Sequence, residues 1–242
     1  MAADLSGDAL EPCTPIVVAP EVFAATGSRY IADAIRTAAS RRELVSLALS
    51  GGKGPRPIYQ ALARTPDIPW NRVEIYFADE RAVPPDDRES NYRLVRESLL
   101  NLLPLTPAGV HRMEGEQEDL ARAASAYERL LPAQLDVLVL GIGADGHTAS
   151  LFPHHPAMSE ERRRVLGVQG PTPPRWRITI TPPVIRAART RLLLAAGESK
   201  AQAVARACHG PYDPRDCPAQ LARDGVWIVD KPAASRLRTA AS

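Results

Sequence analysis

Asp136–Pro153 reads DVLVLGIGADGHTASLFP: an apolar run from Val137 to Leu140, a glycine-flanked turn, and polar residues folded into that turn. An uninterrupted apolar run, with no polar alternation, suits a strand covered on both faces, as in a parallel sheet. The same grammar recurs on either side. Val45, Leu47 and Leu49 mark a strand that stops at Ser50-Gly51-Gly52, and Val73 to Phe77 mark another that stops at Asp79-Glu80-Arg81. Further strands are expected at 16–19, 176–181, 191–195 and 226–229.

Between these runs the apolar residues recur at helical spacing. Residues 21–41 place Ile31, Ala34, Ile35 and Ala38 on one face; Tyr92, Val95, Leu99 and Leu102 share another, as do Leu120, Ala124, Tyr127 and Leu131. A helix opens near Pro55 or Pro57, where proline suits the first turn, and runs through Leu62; another covers about 199–208. Strand–helix alternation of this kind predicts one α/β domain over residues 14–235, doubly wound, with a mostly parallel sheet flanked by helices on both faces. Residues 1–13 and 236–242, and more generally the segment after Pro232, are expected to be flexible tails.

Composition narrows the function classes. A net charge of +2 over 242 residues gives no electrostatic argument for nucleic acid, and no apolar run reaches the length of a membrane span. The N-terminal residues carry acids and lack a hydrophobic core, so a signal peptide is not expected and the reading is a soluble, cytoplasmic protein. Three cysteines, Cys13, Cys208 and Cys217, have no CxxC spacing and suggest neither a disulfide framework nor a zinc site. Only Lys53, Lys200 and Lys231 are lysines against 27 arginines, so a lysine marks a position where a compact ammonium is wanted or is merely a leftover of an arginine-biased composition. Oligomeric state leaves no trace in the sequence.

Ligands of doubly wound sheets sit beyond the carboxyl ends of the strands, and three suspicious motifs follow strands directly. Ser50-Gly51-Gly52-Lys53-Gly54-Pro55 is a glycine-rich turn before a helix, able to offer backbone N–H groups to a phosphate, although it lacks P-loop spacing. Asp79-Glu80-Arg81 is either a solvated ion cluster or a guanidinium positioned to grip an oxyanion; Ser90-Asn91 reads as a helix N-cap. GIGADG contains the letters of a dinucleotide loop, but Asp145 and His147 interrupt it. A histidine two residues after an aspartate in such a turn is better explained as a general base than as core packing. His154 and His155 lack the further acids of a metal site and are read as loop residues, with His111 and His209 likewise.

At these residues the chain resembles the 6-phosphogluconolactonase family. SGGKGP, DERAVPPDDRESN, GIGADGHTASLFP, PPRWRITITPPVI and GESKA stand where that family has its recurrent blocks, in order across roughly residues 45–235. DGHTASLFP is highly specific; SGG is not. The resemblance implies a modified Rossmann-type domain that hydrolyses 6-phosphoglucono-lactone, a small-molecule sugar phosphate, without metal or redox cofactor. It further implies His147 as base, Arg81 as an oxyanion or phosphate contact, and Ser50, Gly51 and Gly52 in the phosphate site with Lys200 beside it. Asp145 orients His147 or meets a substrate hydroxyl, and Arg177 is a weaker candidate, since arginines at strand ends are often only solvated. Where the family has Ser-Thr after the glycines this chain has Lys53-Gly54, so Lys53 is expected to replace two hydroxyl contacts with a charge.

Two rival readings attach to the same residues. Glucosamine-6-phosphate deaminases share the DGH element but carry a tyrosine where Arg81 stands and an acid where Ser150-Leu151-Phe152-Pro153 supplies none. A sugar-phosphate-sensing regulator would need a DNA-binding module, for which residues 1–13 are too short.

Overall fold

The computed structural model describes residues 13–52 and 54–237. Its main sheet has seven parallel strands in the order β1-β10-β9-β6-β2-β3-β5. These are β1 (Ile16–Val18), β2 (Val45–Leu49), β3 (Val73–Phe77), β5 (Gly109–Val110), β6 (Val137–Gly141), β9 (Thr190–Ala195) and β10 (Val226–Asp230). All five residues of β2 are buried, which requires cover on both faces. The helices that provide it are α1 (Pro20–Ala39), α2 (Pro55–Ala63), α3 (Asn91–Ser98), α4 (Leu120–Leu130), α5 (Pro182–Ala187) and α6 (Ala201–His209). On α1, Phe23, Gly27, Ile31 and Ile35 recur at helical spacing and are buried; each large aliphatic side chain so placed contributes about 1.5–3 kcal/mol.

A second, antiparallel sheet was not anticipated. It joins β4 (Asp79–Arg81), β8 (Trp176–Ile180) and β7 (Val165–Gln169) in the order β4-β8-β7. The acidic-basic triplet expected to end a strand is thus a strand itself, paired so that Arg81 lies opposite Arg177. Tyr127 of α4 secures the departure of the chain from β3. Its hydroxyl donates to Phe77 O at 3.0 Å and accepts from Phe77 N at 2.7 Å, so the last backbone groups of the strand are satisfied there.

Several expectations need correction. Cys13 and Cys208 form a disulfide, with Cα atoms 4.8 Å apart and 195 residues between them in sequence, while Cys217 is a buried free thiol. Cys13, assigned to a tail, is therefore packed into the core, and Ala233 beyond Pro232 is fully buried. Leu237, also assigned to a tail, packs against the same core. The rest of the two tails lies outside the described residues. His209 is the last residue of α6 and not part of a loop.

The chain leaves the sheet centre in opposite directions at β2 and β6. From β2 it runs outward through β3 and β5; from β6 it runs outward through β9 and β10. Adjacent parallel strands whose connections diverge open a crevice at their carboxyl ends.

Candidate active site

At that crevice lies a cavity of about 470 Å³, lined from four neighbouring strand ends. Ser50, Gly51, Gly52 and Gly54 come from the turn after β2, and Asp79 and Arg81 from β4. Gly141, Ile142, Gly143, His147 and Ala149 come from β6 and the loop after it; Leu194 to Ala196, Ser199 and Lys200 come from the end of β9 and beyond. Arg177 closes it from β8, and Asn91 from the first turn of α3. Eight of the nine residues singled out from sequence are accounted for here: seven line the cavity, and Asp145 stands directly behind His147. The ninth, Lys53, lies outside the described residues.

No α-helix follows β6; residues 142–155 form an irregular loop instead, which is why the GxGxxG lettering does not make a dinucleotide site. Several positions of the loop have a physical assignment. Gly143 is glycine because a Cβ there would overlap the His147 ring and the Asp145 carboxylate. Thr148 Oγ1 donates to Gly141 O at 2.8 Å, closing the loop back on the strand. Ser150 is fully buried; its hydroxyl donates to Asp79 Oδ2 at 2.6 Å and its amide to Thr179 Oγ1 at 3.1 Å, tying the loop to both β4 and β8. The Phe152 ring lies 4.8 Å from the His147 ring, with the Arg177 guanidinium 5.6 Å from its centroid on another side.

His147 Nδ1 is 2.6 Å from Asp145 Oδ1, and the His147 amide donates to the same oxygen at 3.1 Å. Burial opposes the Asp145 charge, but the hydrogen bonds and charge of His147 outweigh it and hold the carboxyl at about 2. An ionised carboxylate only accepts, so Nδ1 carries the ring proton and the neutral imidazole keeps its lone pair on Nε2.

Arg81 and Arg177 bring positive charge to the lining. Arg177, the weaker candidate from sequence, is 6% exposed and not a solvated strand-end residue; burial first and then the charge of Arg81 push its guanidinium pKa down. Arg81 donates through one terminal nitrogen to Glu89 O at 2.7 Å. Among the described residues, Ser50 Oγ, Arg81 Nε and Arg177 Nε are buried without a hydrogen-bond partner. Unmet donors beside two facing guanidiniums form a lining that favours an anion.

Sequence reasoning missed the parts that hold these groups still. Asp79 is not a solvated acid: it is 5% exposed and takes Asn91 Nδ2 at 3.0 Å as well as Ser150. Glu80, 3% exposed, accepts from Arg81 N, Asn91 N, Tyr92 N and Ser90 Oγ at 2.7–3.0 Å, gluing β4 to the start of α3. Burial pushes its carboxyl pKa up, against the opposing pull of those backbone amides. Ser90 does cap α3, accepting from Arg93 N, while Asn91 additionally lines the cavity and presses on Gly51, where no Cβ would fit. Tyr59 of α2 donates to Ser50 O at 2.7 Å and fixes the glycine turn from behind. The clue available in sequence was the DER…SN pairing; its meaning needed the fold.

Residues 19–229 match the family described as glucosamine-6-phosphate isomerases/6-phosphogluconolactonase. A 6-phosphogluconolactonase of Streptomyces coelicolor is 40% identical over 235 residues, covering 88% of this chain and 89% of that one. One from Mycobacterium tuberculosis is 37% identical, covering 89% and 94%. The solved structure of 6-phosphogluconolactonase from Trypanosoma cruzi superposes with a TM-score of 0.80 at 28% identity, covering 96% of this chain and 99% of that one. A monomeric glucosamine-6-phosphate deaminase shares the fold at a TM-score of 0.79 with 23% identity. The chain belongs to the glucosamine-6-phosphate isomerase/6-phosphogluconolactonase family. Among the described residues no helix is long and apolar enough to cross a membrane.

Proposed function

We propose that this protein is a 6-phosphogluconolactonase, opening 6-phospho-D-glucono-1,5-lactone to 6-phosphogluconate in the oxidative pentose phosphate pathway, with His147 as general base. The observation that carries the reading is the Asp145–His147 pair, at 2.6 Å, with His147 in the lining of a cavity that also holds the Arg81 and Arg177 guanidiniums. Relatives 37–40% identical over most of the chain that bear that enzyme's name support the same reaction.

Nε2 of His147 takes a proton from water as the water oxygen attacks the lactone carbonyl carbon. The tetrahedral oxyanion needs a donor, and the Arg81–Arg177 pair with the backbone N–H groups of the glycine turns supplies candidates worth about 3–4 kcal/mol each. Collapse breaks the bond to the ring oxygen, which receives the proton back from His147 and leaves as a hydroxyl. The phosphate at the other end of the sugar anchors the substrate so that its carbonyl meets the water. Ser50, Gly51 and Gly52, Lys200, and Lys53 with its compact charge are assigned to that anchor. The alternative deaminase chemistry has no acid to work with at Ser150 or Phe152, both of which are engaged in supporting the site.

The test couples the reaction to glucose-6-phosphate dehydrogenase, which makes the lactone, and 6-phosphogluconate dehydrogenase, which reports its opening, with spontaneous hydrolysis subtracted. Wild-type protein should run well above background, and His147→Ala should lose about 10²–10⁴-fold in kcat. A wild-type trace on the background removes the proposal, and ammonia release from glucosamine 6-phosphate would replace it with the deaminase reading.

A further inference from the structure

We infer that Arg206, on α6 and outside the cavity lining, is a positioning residue that holds the Asp145–His147 pair in its working geometry. This rests on His147 being the base. One terminal nitrogen of Arg206 donates to the backbone carbonyl of Asp145. The other lies 3.4 Å from Asp216 Oδ2, and Asp216 in turn meets His154 Nε2 at 3.2 Å. The guanidinium and Cys217 Sγ together fill the space where a Cβ on Gly146 would stand.

The need for such a clamp follows from the backbone. Gly146 sits between the two partners with φ of +94°, a conformation glycine enters and leaves easily. Rotation there would swing the Asp145 carboxylate away from the His147 ring. Local bonds restrain the turn only within itself: Gly146 N donates to Gly143 O at 3.0 Å, and Gly143 N to His147 O at 2.8 Å. Two contacts reach it from elsewhere in the chain. Ala219 N donates to Gly146 O at 3.0 Å, and Arg206 binds Asp145 O, so the carbonyls on both sides of the hinge are held from outside. The charged groups around the pair are Arg206 and Asp216 on this side, Arg177 beside the Phe152 ring, and Asp79, Arg81 and Lys200 in the cavity that His147 lines. Arg206 does not line the cavity, so its effect reaches the reaction through Asp145 and not through substrate.

Arg206→Met and Arg206→Lys would be compared with wild type and His147→Ala in the coupled assay, with the His147 ring nitrogens followed by ¹⁵N NMR. Misplacement of a catalytic group by about 1 Å costs on the order of 10²-fold, so Arg206→Met should lower kcat at least about tenfold while KM stays within about twofold. Arg206→Lys, which keeps a charged donor toward Asp145 O, should recover most of that loss. In Arg206→Met the ¹⁵N shifts should move from the Nδ1-protonated tautomer towards the averaged values of a loosely held imidazole. Wild-type kcat with unchanged nitrogen shifts in Arg206→Met overturns the inference. So does a loss of kcat that Arg206→Lys shares in full and that follows thermal unfolding. If Arg206→Met fails to fold, the kcat and nitrogen shifts of Arg206→Lys decide: ordered Nδ1 protonation with most of kcat retained supports the clamp, and disorder equal to that of Asp145→Ala refutes it. Absence of lactonase activity in wild type defeats the proposed function, whereas the nitrogen shifts still report whether Arg206 fixes the pair.

Discussion

Asp145 keeps its charge although it is partly buried, because everything polar around it donates. The His147 ring and amide both point at Oδ1, and the carboxyl titrates at about 2 instead of its ordinary 3.8. Asp145 is therefore ionised throughout the working range, and no limb of the rate profile near neutrality belongs to it. The linkage has a definite sign. With the folded value below the unfolded one, the pair's contribution is complete above about pH 4 and disappears as pH falls through about 2. The carboxylate is 45% exposed, so the contribution is that of a largely solvated pair and small. Asp145→Asn should flatten this part of the acid-unfolding profile. In the coupled assay it should lower kcat by about 10²-fold or more, because an amide can donate to Nδ1 and favour the wrong tautomer. An Asn variant with undiminished kcat would show that Asp145 does not orient the base.

At the scale of elements, the site is an assembly of strand ends held by side chains with no role in the chemistry. Glu80 is the clearest case: a carboxylate with four donors at 2.7–3.0 Å joins β4, which carries Arg81, to α3, which carries Asn91. Glu80→Gln would set an NH₂ group against at least one of those donors. A buried polar group left unpaired costs about 1–3 kcal/mol, which for a chain of this size lowers Tm by roughly 2–4 °C per kcal/mol. A melting curve superimposable on wild type would contradict this role. The second sheet depends on such ties, since β4 is only three residues long and polar throughout. Its brevity is also why it was not legible. A strand of Asp, Glu and Arg shows no hydrophobic period, and β7 is broken by Gly167. Strand β5 has two residues, and α5 begins on two prolines and lasts six. By contrast β2, β3, β6, β9 and β10 are apolar runs, and their limits were read to within a residue or two.

For the whole molecule, the Cys13–Cys208 bond joins residues 195 apart and ties the entry to β1 to the end of α6. On the chain-entropy account a loop of that size restricts the unfolded state by about 5 kcal/mol. α6 is also the helix that carries Arg206, so the cross-link braces the element whose guanidinium binds the Asp145 carbonyl. Thiol titration of the unreduced protein in denaturant should find one reactive group per chain, Cys217, and three after reduction; three without reductant would refute the bond. Reduction should lower the unfolding midpoint.

The alternation of strands and helices, and the chemistry of the turn that holds Asp145 and His147, are written in the order of residues alone. Both are local: hydrophobic period reports which faces are covered, and two residues in one tight turn meet wherever the turn is placed. Ser50–Gly52 and Arg81 were legible because they stand at or just beyond the ends of apolar strands, and parallel strands bring their carboxyl ends to one crevice; Lys200 was legible only through the GESKA block of the family resemblance. It took the folded chain to show that Arg177 is buried against Arg81, that Asn91 holds Asp79, that Arg206 reaches Asp145 and that Cys13 meets Cys208. Those contacts span up to 195 residues and follow from the order of strands in the sheet and the pairing of the second sheet. Local periodicity carries no record of either, because strands with the same apolar pattern fit the sheet in any order until their loops and buried polar groups must be satisfied together.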